Sequence, residues 1–323
     1  MKWPRVRPRS PRSDSQPGIY TDLDTLIRLQ FSARGFTLRP RQPLHSILAG
    51  PKASKLRGRG LDFEELRGYL PGDDVRNIDW KATARLRKPH VRVYLEERDR
   101  PCLLLIDQRL TMFFGSREKM KSVAAAEAAA LAAWRVLGEG DRVGAIIFND
   151  TDLSAVQPRR SQSAVMRILR ETERYNRRLR VDLDEPTDTN MLNAALQMAS
   201  RTMKHDGLVV VISDFRGVDE QSRRLWTRIA AHNDTIAVHV SDPLERGLPR
   251  GPRLVFQRQR GQIEVDTSEA HLQKGYSEGF AKALEGARHF LRRVETPVLS
   301  LDTTGDVFSQ VHAQLGQSGG QRS

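Results

Sequence analysis

A single cysteine, Cys102, stands in 323 residues, so neither an internal disulfide nor a thiolate zinc cluster is available to this chain. It opens the apolar run Cys102-Leu-Leu-Leu-Ile106 and reads as a buried strand residue. Aromatic residues make up only 6% of the sequence. No apolar run approaches the ~18–20 residues needed to span a bilayer. The basic start, with Lys2, Arg5, Arg7, Arg9 and Arg12, has no apolar stretch behind it and is no secretory signal. A cytoplasmic location is the expectation by default. Also missing are Gly-x-Ser-x-Gly and the phosphate-cradling Gly-x-x-x-x-Gly-Lys-Ser/Thr. No two of the eight histidines sit at the close helical spacing of a zinc hydrolase. These absences argue against an enzyme.

What the chain does have is charge. Charged residues are 29% and hydrophobic residues 38%, the balance of a globular protein with a heavily solvated surface. The net +13 is uneven. Residues 1–100 hold 22 Lys and Arg against 12 Asp and Glu, a net +10, which leaves +3 for the remaining 223. A basic amino-terminal third suits phosphates, anionic lipid or an acidic protein partner. Nucleic-acid binding by this third is therefore the alternative function. Its bases are interspersed with acids after residue 50 and lack interleaved aromatics, which favours a protein partner.

Residues 1–18 are Arg-, Pro- and Ser-rich and are expected to form a disordered basic tail. Residues 19–100 are expected to form an amino-terminal region and 101–315 a second domain, with a flexible tail at 316–323. Within 22–34 the spacing of Leu23, Leu26, Ile27 and Phe31 predicts an amphipathic helix that stops at Gly35. Residues 40–60 read as an irregular connection, and Val91–Leu95 alternates as a strand does. From residue 101 apolar strands alternate with amphipathic helices. Strands are predicted at 103–107, 142–148, 208–213, 235–240 and 297–301, with 153–156 beside the second as a hairpin. Helices are predicted at 119–137, 164–175, 190–203, 221–232 and 269–294, and a hairpin around Arg260-Gly261. This alternation predicts an α/β fold with an open, doubly wound, mostly parallel sheet. Ligands of such sheets bind beyond the carboxyl ends of strands. Asp107 and Asp214 close two of those strands, and Thr189 lies in the loop that opens the helix at Asn190.

The densest motif is 58–80, Gly-Arg-Gly-Leu-Asp-Phe-Glu-Glu-Leu-Arg-Gly-Tyr-Leu-Pro-Gly-Asp-Asp-Val-Arg-Asn-Ile-Asp-Trp. It carries Phe63, Leu66, Arg67, Tyr69, Pro71, Gly72, Asp73, Asp74, Arg76, Asp79 and Trp80, and no His, Cys or Ser to act as nucleophile. Pro71-Gly72 predicts a turn. Arg76 is in reach of a fork-like pair with Asp73 or Asp79, in a buried network that docks this region onto the sheet domain. Trp80 is expected in the core. A partner-recognition surface is the other reading of the segment.

Asp107, Thr189 and Ser213-Asp214 resemble the three metal-site loops of a von Willebrand factor A-like domain. Gly60-Leu-Asp-Phe63, Leu66-Arg67, Tyr69, Pro71-Gly-Asp-Asp74, Arg76 and Ile78-Asp-Trp-Lys81 resemble the signature of one bacterial family, domain of unknown function fifty-eight. Ala84-Arg85, Glu96-Glu97 and Gly140-Asp-Arg-Val-Gly144 match it as well. The resemblance runs from about residue 20 to about residue 315. Members of that family are typically encoded beside MoxR-type AAA ATPases. It thus implies a non-enzymatic adaptor for such an ATPase in the remodelling or activation of client proteins.

The resemblance also implies a dication site of two carboxylates and three hydroxyls. Mg²⁺ takes about six oxygen ligands. Here the first loop reads Asp107-Gln-Arg-Leu-Thr111, so Arg109 replaces the first hydroxyl while Thr111 stands in for the second. At ~4 Å and an effective dielectric near 20, a +1/+2 pair repels by roughly 8 kcal/mol. The expectation is that the Arg109 guanidinium pairs with Asp107 and Asp214 in place of an ion, leaving no cofactor. The alternative has Arg109 turned outward and Mg²⁺ bound with extra water. Read without the resemblance, Asp107 and Asp214 are strand-end carboxylates and Thr189 an N-cap.

Overall fold

The computed structural model describes residues 18–33, 61–70, 75–96, 100–180, 190–246, 254–258, 261–265, 285, 290 and 296–316. The chain divides into two compact units, residues 41–99 and residues 1–40 together with 100–323. The smaller unit is therefore an insertion in the larger.

The larger unit is built on a six-stranded sheet. Its elements are helix α1 (Leu23–Ser32), strand β3 (Pro101–Asp107), α3 (Lys121–Gly138), β4 (Arg142–Phe148), β5 (Leu153–Arg159), α4 (Gln162–Arg178), α5 (Asn190–Thr202), β6 (Leu208–Ser213), α6 (Glu220–Ala230), β7 (Asp234–Ser241), the short α7 (Pro243–Arg246), β8 (Leu254–Arg258), β9 (Gly261–Val265), β10 (Val298–Asp302) and α8 (Val307–Gly316). The small unit supplies β1 (Leu61–Gly68), α2 (Trp80–Leu86) and β2 (His90–Glu96). The sheet order is β10-β7-β6-β3-β4-β5. All neighbours are parallel except β4 and β5. This is the doubly wound order, and it reverses direction between β3 and β6. The expected fold class is the one found, and the 254–265 hairpin is β8–β9.

Each central strand is apolar on both sides because helices cover both faces. Leu104, Ile106, Val210, Ile212, Val238 and Val240 face α3, α4 and α8. Leu103, Leu105, Val209 and Val211 face α5 and α6. Cys102 is buried among the first set, and burial pushes its thiol pKa up, as an inert strand residue requires. Helix α3 is buried along almost its whole length. It has no solvated face, so the alanines that line it sit against a neighbour on every side. Gly144 is glycine because β5 passes close over it: a Cβ there would lie 2.6 Å from the Val156 carbonyl oxygen and 2.7 Å from the Pro158 nitrogen.

One of the neighbours covering α3 is α1. Leu26 is fully buried in the α3 core, and the Trp134 Nε1–H donates to the Leu26 carbonyl at 3.1 Å. The Thr21 N–H donates to Asn176 Oδ1 at 2.8 Å and the Tyr20 hydroxyl to the Leu179 carbonyl at 2.8 Å. Residues 19–33, assigned from sequence to the amino-terminal region, thus pack within the sheet unit. The alanine surface of α3 has to be covered from outside the sheet. The predicted helix also turns differently from expectation. Leu23, Leu26, Ile27 and Leu29 meet the core, whereas Phe31 is 77% exposed.

In the small unit β1 and β2 pair antiparallel, with a register shift between Phe63 and Glu65. The signature segment, read from sequence as turns and anchors, supplies β1 with Phe63, Leu66 and Arg67. Asp79 caps α2, accepting from the Ala82 N–H at 3.0 Å. Arg87 ends the helix in the left-handed region (φ 53°). Trp80 opens α2 and is 71% exposed, not in the core as expected, because the first turn of a seven-residue helix offers little surface to bury it. Arg76 is exposed and Tyr69 half-buried. Pro71, Gly72, Asp73, Asp74 and Thr189, most of residues 1–18 and 40–60, and all but two residues of the predicted 269–294 helix lie outside the described residues.

Helix α1 generates a direct test. Leu26→Ala should lower the free energy of unfolding by about 2–5 kcal/mol, while Phe31→Ala should change it by less than about 0.5 kcal/mol. Urea titration of both variants with unchanged m-values checks this. Equal costs would mean that α1 is not seated on α3 through Leu26.

Candidate functional site

Five parallel strands reach the carboxyl end of the sheet, and all five end in the same way. Asp107 accepts from the Arg109 N–H at 2.9 Å, Asn149 from Thr151 at 3.0 Å, and Asp214 from Arg216 at 3.0 Å. Asp242 accepts from Leu244 and Asp302 from Thr304, both at 2.8 Å. In each case an Asx side chain takes the N–H two residues on, satisfying the backbone as the chain leaves the ladder and turns. A strand-end carboxylate is thus the ordinary solution here. Asp107 and Asp214 differ by position, since they flank the point where the winding reverses, and by what they bind.

Asp107 is fully buried, and Arg109 folds back over it. The Arg109 Nε–H lies 3.0 and 3.1 Å from the two Asp107 oxygens, and Nη2 donates to Oδ2 at 2.7 Å. Nη1 donates to the Arg216 carbonyl at 3.2 Å, and Nη2 is 3.7 Å from Asp214 Oδ1. The guanidinium carbon lies 5.8 Å from the centre of the Phe148 ring. Ser213 adds a hydroxyl donor to Asp107 Oδ2 at 2.6 Å and accepts from the Phe215 N–H at 2.9 Å. Phe215 itself is held at φ 54°, a strained setting for a large side chain. Its ring packs against Trp226 and His239.

The second cation is Lys121, the first residue of α3. It is fully buried, and its ammonium donates to Asp214 Oδ2 at 2.9 Å and to Glu245 Oε1 at 2.7 Å. A lysine at a helix amino terminus opposes the helix dipole, so these two carboxylates are what hold it. Glu245 on α7 also accepts from Arg216 Nη2 at 2.8 Å and from the Asp242 N–H at 3.1 Å. Asp107, Asp214 and Glu245 are therefore matched by Arg109, Lys121 and Arg216. Of the six side chains only Arg216 has substantial exposure, at 45%. Burial disfavours charge on Asp214, yet Lys121 and Arg109 outweigh it and hold its pKa well below the usual carboxylate range. Burial likewise opposes charge on Arg109, and Asp107 and Asp214 more than reverse it, raising its pKa.

Polar contacts tie this centre to the helices. Gln108 Nε2 donates to the Ser122 carbonyl at 2.9 Å, and Gln108 Oε1 accepts from Asn176 Nδ2 at 3.0 Å. Asn176 then accepts from Thr21, just ahead of α1. Beside the centre, the Leu110 N–H donates to Asp150 Oδ2 at 2.6 Å. Thr111 lies in the turn Leu110–Met112, and its buried hydroxyl has no hydrogen-bond partner among the described residues.

Of the site residues predicted from sequence, Asp107, Arg109 and Asp214 come together, with the guanidinium hydrogen-bonded to Asp107 and 3.7 Å from Asp214 Oδ1. Thr189 lies outside the described residues. Lys121, Glu245 and Arg216 were not foreseen. A lysine opening an alanine helix that shows no polar face was the available signal for Lys121. These donor atoms do not fit a dication. Asp107 already receives Arg109 and Ser213, Asp214 already receives Lys121 and the Arg216 amide, and two buried positive charges occupy the surroundings. Among the described residues no group of three or more His, Cys, Asp or Glu side chains is placed to hold a metal ion. No helix among them is long and apolar enough to cross a membrane.

The strand order defines a doubly wound, mostly parallel α/β protein. The chain belongs to the family described as Protein of unknown function DUF58, whose model matches residues 65–285. It is 29% identical over 288 residues to the uncharacterized protein Rv1480 of Mycobacterium tuberculosis, covering 88% of each chain. The uncharacterized protein Mb1516 of Mycobacterium bovis matches to the same extent. Among solved structures, BatB from Bacteroides thetaiotaomicron is similar over 67% of this chain and 98% of that one, at 14% identity and a TM-score of 0.38. The SpRpn10 VWA domain is similar over 70% of this chain and 100% of its own, at 12% identity and a TM-score of 0.39.

Removing one partner from a buried ion pair costs about 3–5 kcal/mol, so Arg109→Met and Lys121→Met should each destabilise the protein by that order. The lowered pKa of Asp214 sets the sign of its pH dependence. Its contribution is present above the ordinary value of 3.8 and is lost as pH falls through the lower folded value. Unfolding free energies measured from pH 7 down to about 3 should therefore fall on the acid side, and Asp214→Asn should show a shallower fall. An unchanged acid slope in Asp214→Asn would contradict the assignment.

Proposed function

We propose that this protein is a non-catalytic interaction module that offers the carboxyl end of its sheet, over the buried centre of Asp107, Arg109 and Asp214 and beside Thr111, to a protein partner without a divalent ion. The observation that carries this reading is the closed charge network. A catalytic carboxylate needs a lone pair facing its substrate, and a metal-binding one needs oxygens facing an ion. The oxygens of Asp107 and Asp214 instead receive guanidinium, ammonium, hydroxyl and amide donors of their own chain. Arg109 and Lys121 together carry two positive charges, the charge that a dication would bring.

The partner in this reading is a MoxR-type AAA ATPase, with the chain as adaptor in the remodelling or activation of client proteins. That assignment rests on the likeness of the 58–81 signature to its family. Exposed Trp80 at the start of α2 offers the smaller unit a contact of its own, since aromatic side chains anchor protein contacts. Nucleic-acid binding is the second reading, favoured by the net +10 of residues 1–100. It predicts affinity that falls linearly in log K against log salt.

Two measurements test the proposal. Affinity capture of the tagged chain from nuclease-treated lysate, read by mass spectrometry in Mg²⁺ and in EDTA, should enrich a AAA ATPase in both. Failure to enrich one in either buffer counts against the adaptor. Calorimetry with Mg²⁺ should give no binding heat for wild type and a gain of binding for Arg109→Ser. Micromolar Mg²⁺ binding by wild type would remove the ion-free reading.

A further inference from the structure

The excess charge of the larger unit is gathered on one helix. Residues 101–323 carry a net +3, whereas 159–180 alone hold eight arginines against Glu171 and Glu173, a net +6. The rest of 101–323 is therefore net −3, from +3 less +6. No lysine and no aspartate occurs within 159–180. A footprint of one sign, set in surroundings of the other, is the mark of a surface for a polyanion.

Helix α4 orders these bases. Its apolar residues Val165, Ile168 and Leu169 are buried in the α3 core. Helix pitch then sets Arg167, Arg170, Arg174, Arg177 and Arg178, spaced in steps of three and four, along one outer face. All five are exposed. The glutamates beside them sit lower. Glu171 and Glu173 are 24% and 22% exposed, and they pair with Arg174 and Arg177, which are 50% and 48% exposed. Asp152 pairs with Arg178. The guanidinium carbons of Arg174 and Arg178 lie 4.8 and 5.6 Å from the centre of the buried Tyr175 ring. These contacts hold the guanidiniums in place. Surface ion pairs are weak, so an incoming phosphate competes with the carboxylates.

The chemistry of this face narrows its partner. Guanidinium matches phosphate through two parallel N–H donors. From Arg167 to Arg178 the helix advances about 16 Å, close to the ~17 Å that five phosphates of one duplex strand occupy along the axis. No apolar side chain of α4 is exposed, Met166 being half-buried, so the face has nothing to insert into a bilayer. It also exposes no aromatic ring on which unpaired bases could stack.

We propose that the outer face of α4 binds a nucleic-acid duplex through its phosphates, without reading sequence. The site is distinct from residues 1–100, and it stands whether or not the sheet end takes a protein partner.

Fluorescence anisotropy of the full chain with short labelled DNA duplexes of two unrelated sequences tests this. Both should bind alike, and log K should fall against log salt with a slope of about −4, for roughly four to five phosphates. Arg167→Gln/Arg170→Gln keeps helix propensity. It should flatten the slope by about 2 and weaken binding at least about tenfold at low salt. Arg5→Gln/Arg7→Gln/Arg9→Gln/Arg12→Gln should leave both quantities at wild-type values. Loss of binding in that amino-terminal variant, with the α4 variant unchanged, would move the site to the basic tail and overturn the proposal. So would the absence of duplex binding by wild type at low salt. Equal affinity for poly-glutamate would assign the face to an acidic protein, and equal affinity for anionic lipid vesicles to a membrane surface; either result overturns the duplex.

Discussion

Taking a carboxylate out of water costs several kcal/mol unless partners go in with it. The carboxyl end of this sheet buries Asp107, Asp214 and Glu245 against cations and Asp242 against N–H and hydroxyl donors. Much of the local architecture follows from that constraint. Arg109 must turn back onto Asp107, which sets the course of the loop after β3 and brings its Nη1 to the Arg216 carbonyl. Lys121 must point its ammonium at Asp214 and Glu245, which fixes the start of α3 and draws α7 against the end of β7. The strained φ of Phe215 is tolerated because Ser213, Asp214 and Arg216 are all held by this same network.

A centre built on side-chain cations behaves differently from one built on an ion. An ion exchanges with solvent, and its occupancy follows its concentration. Guanidinium and ammonium groups belong to the chain and are present at every concentration. They also satisfy each carboxylate with directed hydrogen bonds, whereas a hard dication would demand further oxygen ligands. The loops at the switch point are therefore held in one arrangement by the chain itself.

The strands were legible in the sequence because strands buried on both faces write near-continuous apolar runs, and 103–107, 142–148 and 208–213 did so. Asp107, Arg109 and Asp214 were legible because the strand ends named them. Lys121 was not: its place at the start of an alanine helix without a polar face hinted at burial, but no local pattern names its partners. Its partners lie 93 and 124 residues away. Helix α8 escaped notice because Val307-Phe-Ser-Gln-Val-His-Ala-Gln-Leu is short, although Asp306 and Gly316 mark its ends. The core place of α1 depended on a demand made by α3, which only packing reveals. Trp80 shows the converse: a large aromatic suggested a core, but the helix it opens does not bury it.

The place of α1 also has a consequence for biosynthesis. It leaves the ribosome early, yet the indole it bonds to lies 108 residues downstream and the Asn176 side chain that receives Thr21 lies 155 residues after it. Residues 41–99, a compact unit of their own, emerge in the interval. Because units fold in the order of their synthesis, the insertion can complete its hairpin while the first helix still waits, its apolar stripe uncovered. Nascent chains halted before α3 would hold that stripe open to chaperones, and the larger unit closes only when its first and later segments meet.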